Sequence, residues 1–215
     1  MTAPSGDPDD EEPTVPWTTT PPTLTGRIVE LSPLRRDDAG ELAEAVTDGE
    51  LHREWWTSTP APGDMADDLA DKLDRAAAGT MVPFIIRSAG DGTALGVTCY
   101  YDLDPTVPRL EIGYTWLRAS AQGKGANPEA KLLLMGYAFG ELNCARVGIR
   151  TKFTNTVSRA AIERLGLRRD GVLRSHARLR NGVLDDAVLY SALAHEWPVI
   201  RARLCDRVAR HTSTD

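Results

Sequence analysis

The sequence predicts one mixed α/β (α+β) domain with a largely antiparallel sheet and a single strand–helix–strand crossover. Three β-rich runs follow one another in the middle of the chain, separated by turn residues. Stretches with apolar residues at helical spacing flank them. The predicted order is β-α-α-β-β-β-α-β-α-β-β-α, without an internal repeat or a second domain. A chain of 215 residues has room for one sizeable core.

The first part of this domain is predicted to contain one strand and two helices. Met65, Leu69 and Leu73 recur at helical spacing, and Gly79 follows them as a stop signal. The predicted elements are a strand over Leu24–Leu31, a helix over Asp37–Val46, an aromatic turn over Leu51–Trp56 and a helix over Asp64–Ala78.

The middle of the chain is predicted to form an antiparallel meander. Met81–Arg87 and Ala94–Tyr101 are joined by Gly90-Asp91-Gly92, which is a hairpin signal. Arg109–Leu117 is the third strand. Its residues alternate, which predicts two faces: Leu110, Ile112, Tyr114 and Trp116 on one side, and Glu111, Gly113 and Thr115 on the other.

The last part of the domain is predicted to alternate between helices and strands. Gly166 is placed to end one helix, and Asn181-Gly182 is a turn between two strands. The predicted helices cover Leu132–Leu142, Asn155–Leu165 and Trp197–Arg210, the last with Pro198 in its first turn; the predicted strands cover Arg146–Thr151, Arg168–Arg174 and Leu184–Leu193.

The N-terminal segment differs in composition from the rest of the chain. Residues 1–26 hold five acids, six of the 14 prolines and no Lys or Arg, so the remaining residues carry a formal charge of 25 − 26 = −1. Such a segment buries too little apolar surface to offset its ordering entropy. We therefore predict a disordered tail over 1–22, a domain over 23–210 and a C-terminal tail over 211–215. Trp17 either docks on the domain or is exposed in a linker.

Composition also excludes several classes of protein. No apolar run approaches a membrane helix, and the N-terminus lacks a basic stretch followed by an apolar one. The three cysteines and four histidines are scattered, which argues against a metal site and favours a reducing, cytoplasmic location. The nearly neutral domain predicts neither a nucleic-acid partner nor a membrane partner.

The most informative stretch is the loop Gln122–Asn127, which we call the cradle loop. It connects a predicted strand to a predicted helix and contains Gly123 and Gly125. Glycines allow close approach of the backbone to a ligand, and a helix N-terminus attracts anions. Asn127 is a favourable N-cap, and Pro128 suits the first helical position. The pattern fits either a diphosphate site or an ordinary strand–turn–helix corner.

Residues further along the chain resemble those of one family. Asn155-Thr156-Val157-Ser158 begins a helix that ends in Leu165-Gly166, and Gly171-Val172-Leu173-Arg174 follows. Together with the cradle loop, this arrangement resembles the GNAT acetyltransferase superfamily, and more narrowly the group of RimJ and RimL ribosomal-protein N-acetyltransferases. The resemblance covers roughly residues 24 to 195 and implies the GNAT fold.

The resemblance implies that acetyl-CoA is the acyl donor and that no metal is needed. Asn155 would contact the pantetheine arm or cap its helix, or do both. Lys124 would pair with a phosphate or be solvated. The family's diphosphate loop matches Gln122, Gly123, Lys124, Gly125 and Ala126, whereas Asn127 stands where glycine or alanine is usual; backbone groups of Ile112 and Tyr114 would pair with the pantetheine amides.

The implied reaction is direct acetyl transfer to a primary amine. Glu111 is the candidate general base, and its alternative is a surface glutamate. Ser158 is the candidate acid for the departing thiolate, because the family's more common tyrosine is absent from residues 155–174. Its alternative is a second capping residue.

The acceptor side is expected to involve Trp55, Trp56 and His176. The alternative for His176 is a structural role in its strand. The acceptor would be a peptide or protein N-terminus or a small amine. A small-molecule or antibiotic N-acyltransferase and a non-catalytic acyl-CoA-binding module stay open. Many members of the family pair, so a homodimer is also expected.

Overall fold

The computed structural model describes Trp17 and residues 21–212. Most of the predicted tail over 1–22, and residues 213–215, lie outside the described residues. Within them, the elements follow the predicted order. They are β1 (Leu24–Thr25), β2 (Val29–Pro33), α1 (Ala39–Ala45), α2 (Met65–Ala77), β3 (Met81–Ser88), β4 (Ala94–Asp104), β5 (Arg109–Leu117), α3 (Ala126–Gly140), β6 (Arg146–Lys152), α4 (Thr156–Leu165), β7 (Arg168–Arg178), β8 (Leu184–Leu193) and α5 (Trp197–Thr212).

The described strands form one sheet in the order β1-β2-β3-β4-β5-β6-β8-β7. Every neighbouring pair is antiparallel except β5 and β6, which are parallel and joined through α3. One core, which we call the α3 core, lies between the sheet and α3, α4 and α5, and includes Leu134 and Leu204. The other, which we call the α2 core, lies between the sheet and α1 and α2, and includes Leu42 and Leu69. The predicted mixed, mostly antiparallel fold is confirmed.

A β-bulge in β5 changes which side of the sheet its residues face. Val97 pairs with Trp116 and Cys99 pairs with Gly113, so β5 has one residue more than β4 between these pairs. Tyr114 within the bulge has φ 53, which is unusual for a residue with a side chain. Ile112 therefore faces the α3 core, whereas Trp116 faces the α2 core. The prediction that Ile112, Tyr114 and Trp116 share one face was wrong.

The segment predicted as one strand over Leu24–Leu31 is divided into β1 and β2. Glu129, in the first turn of α3, accepts hydrogen bonds from the backbone N–H groups of Arg27, Ile28 and Val29 at 2.6–2.9 Å. A Cβ at Gly26 would lie 2.5 Å from this carboxylate. A buried glutamate thus stabilises the tight turn between the two strands.

Both ends of the described chain differ from the predicted boundaries. Trp17 is partly buried and packs against the α3 core, so the interpretation of an exposed linker tryptophan was wrong. Helix α5 continues to Thr212. His211, which the sequence assigned to the C-terminal tail, lies in this helix beside Gly125 of the cradle loop. These contacts join residues that are distant in sequence, so no local pattern indicates them.

Candidate active site

An opening between β5 and β6 is the central feature of the site. Their parallel pairing covers Arg109–Glu111 and Arg146–Gly148 and ends there, although β5 continues to Leu117 and β6 to Lys152. The cradle loop and α3 follow β5, while Asn155 and α4 follow β6. The N-termini of two helices therefore adjoin the ends of the two separating strands, and the backbone of both strands faces the opening.

The cradle loop has the backbone geometry of an anion site. Gly123 and Gly125 have φ values of 74 and 88, which favour glycine. Helix α3 begins at Ala126, with Gly125 as its N-cap and no side-chain cap. The prediction of Asn127 as N-cap was wrong, because Asn127 already lies in the first helical turn. The N–H groups of Ala126 and Asn127 have no acceptor within the helix and can face a ligand.

Packing explains why Gly125 carries no side chain. A Cβ there would lie 2.5 Å from Ile28 Cδ1 and 3.0 Å from His211 Cβ, whereas a Cβ at Gly123 would meet no atom within 4 Å. Gly125 thus serves the packing of the loop, and Gly123 is the exposed glycine. Gln122 folds back, since its Nε2 donates to Leu117 O at 2.9 Å. Lys124 is exposed beside a cavity of about 190 Å³.

Asn155 is the N-cap of α4. Its Oδ1 accepts a hydrogen bond from the N–H of Ser158 at 2.9 Å. This bond uses the side-chain oxygen and leaves the amide N–H donors for another partner. Ser158 donates to the cap through its backbone N–H, so its side-chain hydroxyl takes no part in this hydrogen bond. Asn155 and Ser158 are both half-buried at the start of α4. Because they are three residues apart, they lie on the same side of the helix, as the sequence predicts.

Glu111 lies at the last paired position of β5, where the opening begins. It is 4% exposed, so it is no surface glutamate. Its Oε2 accepts hydrogen bonds from the Tyr101 hydroxyl at 2.5 Å and from Arg150 Nε at 3.2 Å. Among the described residues, Oε1 accepts none. Burial, and then the neighbouring Glu111, raise the pKa of Tyr101 well above its usual value, so Tyr101 is a donor at neutral pH.

Arg150 connects Glu111 to His176, and sequence reasoning missed it. Its Nη1 lies 3.0 Å from His176 Nε2, and its guanidinium lies 5.8 Å from the centre of the Tyr101 ring. Tyr101, Glu111, Arg150 and His176, one from each of four strands, thus form a row on the α2 side of the sheet. The alternation of Ile149, Arg150 and Thr151 indicated an outward-facing arginine, but only strand order brings it beside Glu111.

The segment that carries Trp55 and Trp56 is held by two cations. Lys152 Nζ donates to Trp56 O at 3.1 Å, and Arg180 donates to the carbonyls of His52 and Thr59. Trp55 is 48% exposed, and Trp56 is half-buried. Since Lys152 ends β6, these contacts place the tryptophan segment beside the end of the strand that borders the opening.

The described part of the chain gives little support for a cysteine nucleophile, a metal site or a membrane-spanning helix. Burial raises the pKa of the Cys99 and Cys144 thiols to about 12, so neither is a ready nucleophile. Over residues 21–212, no cluster of His, Cys, Asp and Glu has the arrangement of a metal site. In the same range no helix is both long enough and apolar enough to cross a bilayer.

The chain is similar to known acetyltransferases. The family model described as "Acetyltransferase (GNAT) domain" matches residues 29–168. YdaF of Bacillus subtilis strain 168, which carries the provisional name of ribosomal N-acetyltransferase, is 38% identical over 107 residues. That match covers 50% of this chain and 57% of YdaF. The chain therefore spans little more than half the length of the curated relatives that it matches.

Solved structures extend the likeness to most of the chain. A crystal structure provisionally named as an acetyltransferase, from T. thermophilus, is 33% identical with a TM-score of 0.77, and the match covers 88% of this chain and 98% of that one. RimJ of Mycobacterium smegmatis, solved in complex with CoA-disulfide, has a TM-score of 0.73 at 24% identity, with coverage of 89% and 96%. At that identity the likeness concerns the fold alone.

Proposed function

Since this chain belongs to the GNAT acetyltransferase family, we propose that it transfers an acetyl group from acetyl-CoA directly to a primary amine. The acceptor proposed first is a protein or peptide N-terminus, in particular that of a ribosomal protein, which the provisional name of YdaF supports. The observation that carries this proposal is the opening between β5 and β6, with Glu111 at its closed end and two helix N-termini at its open end.

The residues around the opening fit coenzyme A. The cradle-loop N–H groups and the N-terminus of α3 would hold the diphosphate. Backbone groups of Ile112 and Tyr114, beyond the end of the β5–β6 pairing, would hold the pantetheine amides in the manner of an added strand. The free amide donors of Asn155 would contact the same arm. When bound, acetyl-CoA supplies the activated acetyl group.

The transfer forms a C–N bond and breaks the thioester C–S bond. The amine must lose one proton, and the departing thiolate must gain one. In our proposal Glu111 Oε1 accepts the amine proton, directly or through water, while Tyr101 and Arg150 hold Oε2. The Ser158 hydroxyl gives a proton to the thiolate and regains one from solvent, to which Glu111 releases the amine proton. The N-terminal field of α4 also stabilises the thiolate. No protein nucleophile is needed.

The acceptor would approach from the α2 side of the sheet. Glu111 faces that side together with Tyr101, which packs against the α2 core. The tryptophan segment lies beside the end of β6, and His176 lies at the end of the Glu111–Arg150 row. These groups would form the wall along which the amine reaches Oε1.

A thiol-release assay tests the proposal. The full chain is incubated with acetyl-CoA and a panel of peptide N-termini, including ribosomal-protein N-termini, beside small amines and aminoglycosides. We expect acceptor-dependent release of free CoA and a mass increase of one acetyl group on an α-amine. An increase confined to small amines would favour the small-molecule N-acyltransferase.

A binding measurement separates the enzyme from a non-catalytic module. Calorimetric binding of CoA without thiol release for any amine would support an acyl-CoA-binding module instead. Absence of both binding and turnover at millimolar CoA would contradict the proposal entirely.

A further inference from the structure

Cationic side chains border the opening on its α2 side. On β5, the Tyr114 ring lies beneath Lys72 and Arg75 of α2, at 5.6 and 5.1 Å from its centre. On β6, Arg150 and Lys152 are two residues apart in the part that β5 no longer pairs, so they share a face. We call these four side chains the cationic rim.

Two members of the cationic rim are neutralised by close carboxylates. Lys72 Nζ lies 2.5 Å from Asp68 Oδ1, and Arg150 Nη2 lies 3.2 Å from Glu111 Oε2. In each ion pair at least one of the two side chains is largely buried. Because the opposite charges are in close contact, each pair contributes little net charge to the opening. The remaining charge of the rim lies at Arg75 and Lys152.

Arg75 and Lys152 have weaker partners. Arg75 donates to the Tyr114 hydroxyl at 3.1 Å, and the nearest carboxylate, Asp71, lies 3.9 Å away and is 68% exposed. Lys152 donates to Trp56 O and has no carboxylate within 4 Å among the described residues. Burial, and then the neighbouring Arg180, lower the pKa of Lys152, and the charge of Asp185 only partly offsets them.

The arrangement is complementary to a molecule that carries both signs of charge. Glu111 Oε1 is one unused carboxylate oxygen at the closed end of the opening, which suits an ammonium group. Arg75 and Lys152 are donors on either side of it, on α2 and β6, which suit a carboxylate. An acceptor with an acidic group near its amine would meet both requirements, whereas a basic acceptor would place a second cation beside the rim.

We infer that the acceptor carries a carboxylate close to its reactive amine, and that Lys152 and Arg75 are the specificity-determining residues that contact it. This inference rests on the proposed function and names its substrate class: an N-terminus followed by Asp or Glu. A free amino acid offers the same chemistry within a small molecule, and the experiment distinguishes the two sources.

Matched peptides test the inference. Two peptides that differ only by Asp or Asn at the second position are compared by kcat/KM with saturating acetyl-CoA, alongside free amino acids and their amides. We expect about a tenfold preference for the Asp peptide, as one charge-assisted contact provides. Lys152→Gln keeps a donor for Trp56 O but removes the charge, and Arg75→Gln does the same beside Tyr114. Each should reduce the preference toward unity.

Arg201→Gln is the control, since it removes one exposed cation from α5, which packs on the opposite side of the sheet. It should keep the preference for the Asp peptide, and the KM for acetyl-CoA should be unchanged in all three variants. A preference for free amino acids over all peptides would assign the carboxylate to a small molecule. Equal kcat/KM for the Asp and Asn peptides in the unmodified chain would overturn the inference while leaving acetyl transfer intact.

Binding provides a readout that does not depend on turnover. Titration of the same peptides onto the CoA-loaded chain, followed by tryptophan fluorescence, should give a lower Kd for the Asp peptide, and Lys152→Gln should remove the difference. Selective binding without thiol release would support the inference and contradict the proposed function. Equal Kd values for the two peptides would contradict the inference.

Discussion

The guanidinium of Arg150 lies 3.2 Å from the carboxylate of Glu111, across the point at which β5 and β6 separate. Arg150 and Tyr101 both donate to Oε2, so the two partners orient the carboxylate, and Oε1 accepts no hydrogen bond from the described residues. Gly148 makes room for this arrangement, because a Cβ there would lie 3.0 Å from Glu111 Cγ. The geometry of the proposed base thus depends on three strands.

Glu111→Gln should lower kcat/KM by about 10²- to 10⁴-fold, with the largest loss at low pH. An α-amine has a pKa near roughly 8, so removal of its proton needs more help at pH 6 than at pH 9. A pH–rate profile over this range checks the prediction and serves as its internal control. An unchanged kcat/KM over the whole pH range would contradict the role of Glu111 as the base.

Ser158→Ala should lower kcat about 10- to 100-fold with little change in CoA affinity. The cap of α4 uses the backbone N–H of Ser158, which alanine retains, so stability should hold. Asn155→Ala is the contrasting variant, because it removes the cap and should lower the free energy of unfolding by about 1 kcal/mol. Steady-state kinetics and thermal unfolding distinguish the two, and an unaltered kcat in Ser158→Ala would exclude it as the acid.

Gly123→Asp should abolish the rise in Tm that CoA causes, whereas Gly123→Asn should keep most of it. Both side chains tolerate the φ of 74 and enter open space, so the variants differ only in charge beside the proposed diphosphate. At a hundred times Kd, CoA binding stabilises a protein by about 2.7 kcal/mol, which is a measurable shift. Gly125 is unsuitable for this test, because any side chain there collides with Ile28. Equal rises in Tm in both variants would indicate that the diphosphate binds elsewhere.

Lys131 should make stability rise with pH just above neutrality. Burial lowers its pKa from 10.5 to about 7, and Nζ donates to Thr115 at 2.8 Å. Between these values the unfolded chain binds the extra proton, so the free energy of unfolding rises with pH, by at most about 1.4 kcal/mol per unit. Urea unfolding from pH 7 to 8 measures the slope, below the pKa of about 8.5 of thiols in the unfolded chain.

The matched variant Lys131→Met keeps the length of the side chain and the 2.8 Å hydrogen bond between Thr98 and Thr115. The slope of stability against pH should be smaller in this variant. Identical slopes in both proteins would show that Lys131 does not change its proton affinity on folding.

Trp17→Ala should lower the free energy of unfolding by roughly 1 to 2 kcal/mol, because the partly buried ring packs against the α3 core. Deletion of residues 1–16, which leaves Trp17 in place, should not change Tm. Thermal unfolding of the two variants makes the comparison. A loss of several degrees in the deletion but not in Trp17→Ala would reverse the assignment.

Local patterns predicted most of the fold and the position of the cradle loop. The order of strands and helices follows from residue periodicity and turn residues, which act over a few neighbours. The cap at Asn155 and the stop at Gly166 are of the same kind, and the structure contains both. Even so, the prediction of Asn127 as a cap failed, because the N-cap is Gly125, whose φ of 88 favours glycine.

Local sequence patterns could not predict the features that depend on how the strands pair. The extra residue in β5 reverses the faces of Tyr114 and Trp116, and only its register with β4 reveals it. The Glu111–Arg150–His176 row joins residues of three strands that lie far apart in sequence. Periodicity assigns a side chain to one side of its own strand, whereas its partners across the sheet depend on how the whole chain packs. For this reason the cradle loop is readable in the sequence, and the partners of the proposed base are visible only in the folded domain.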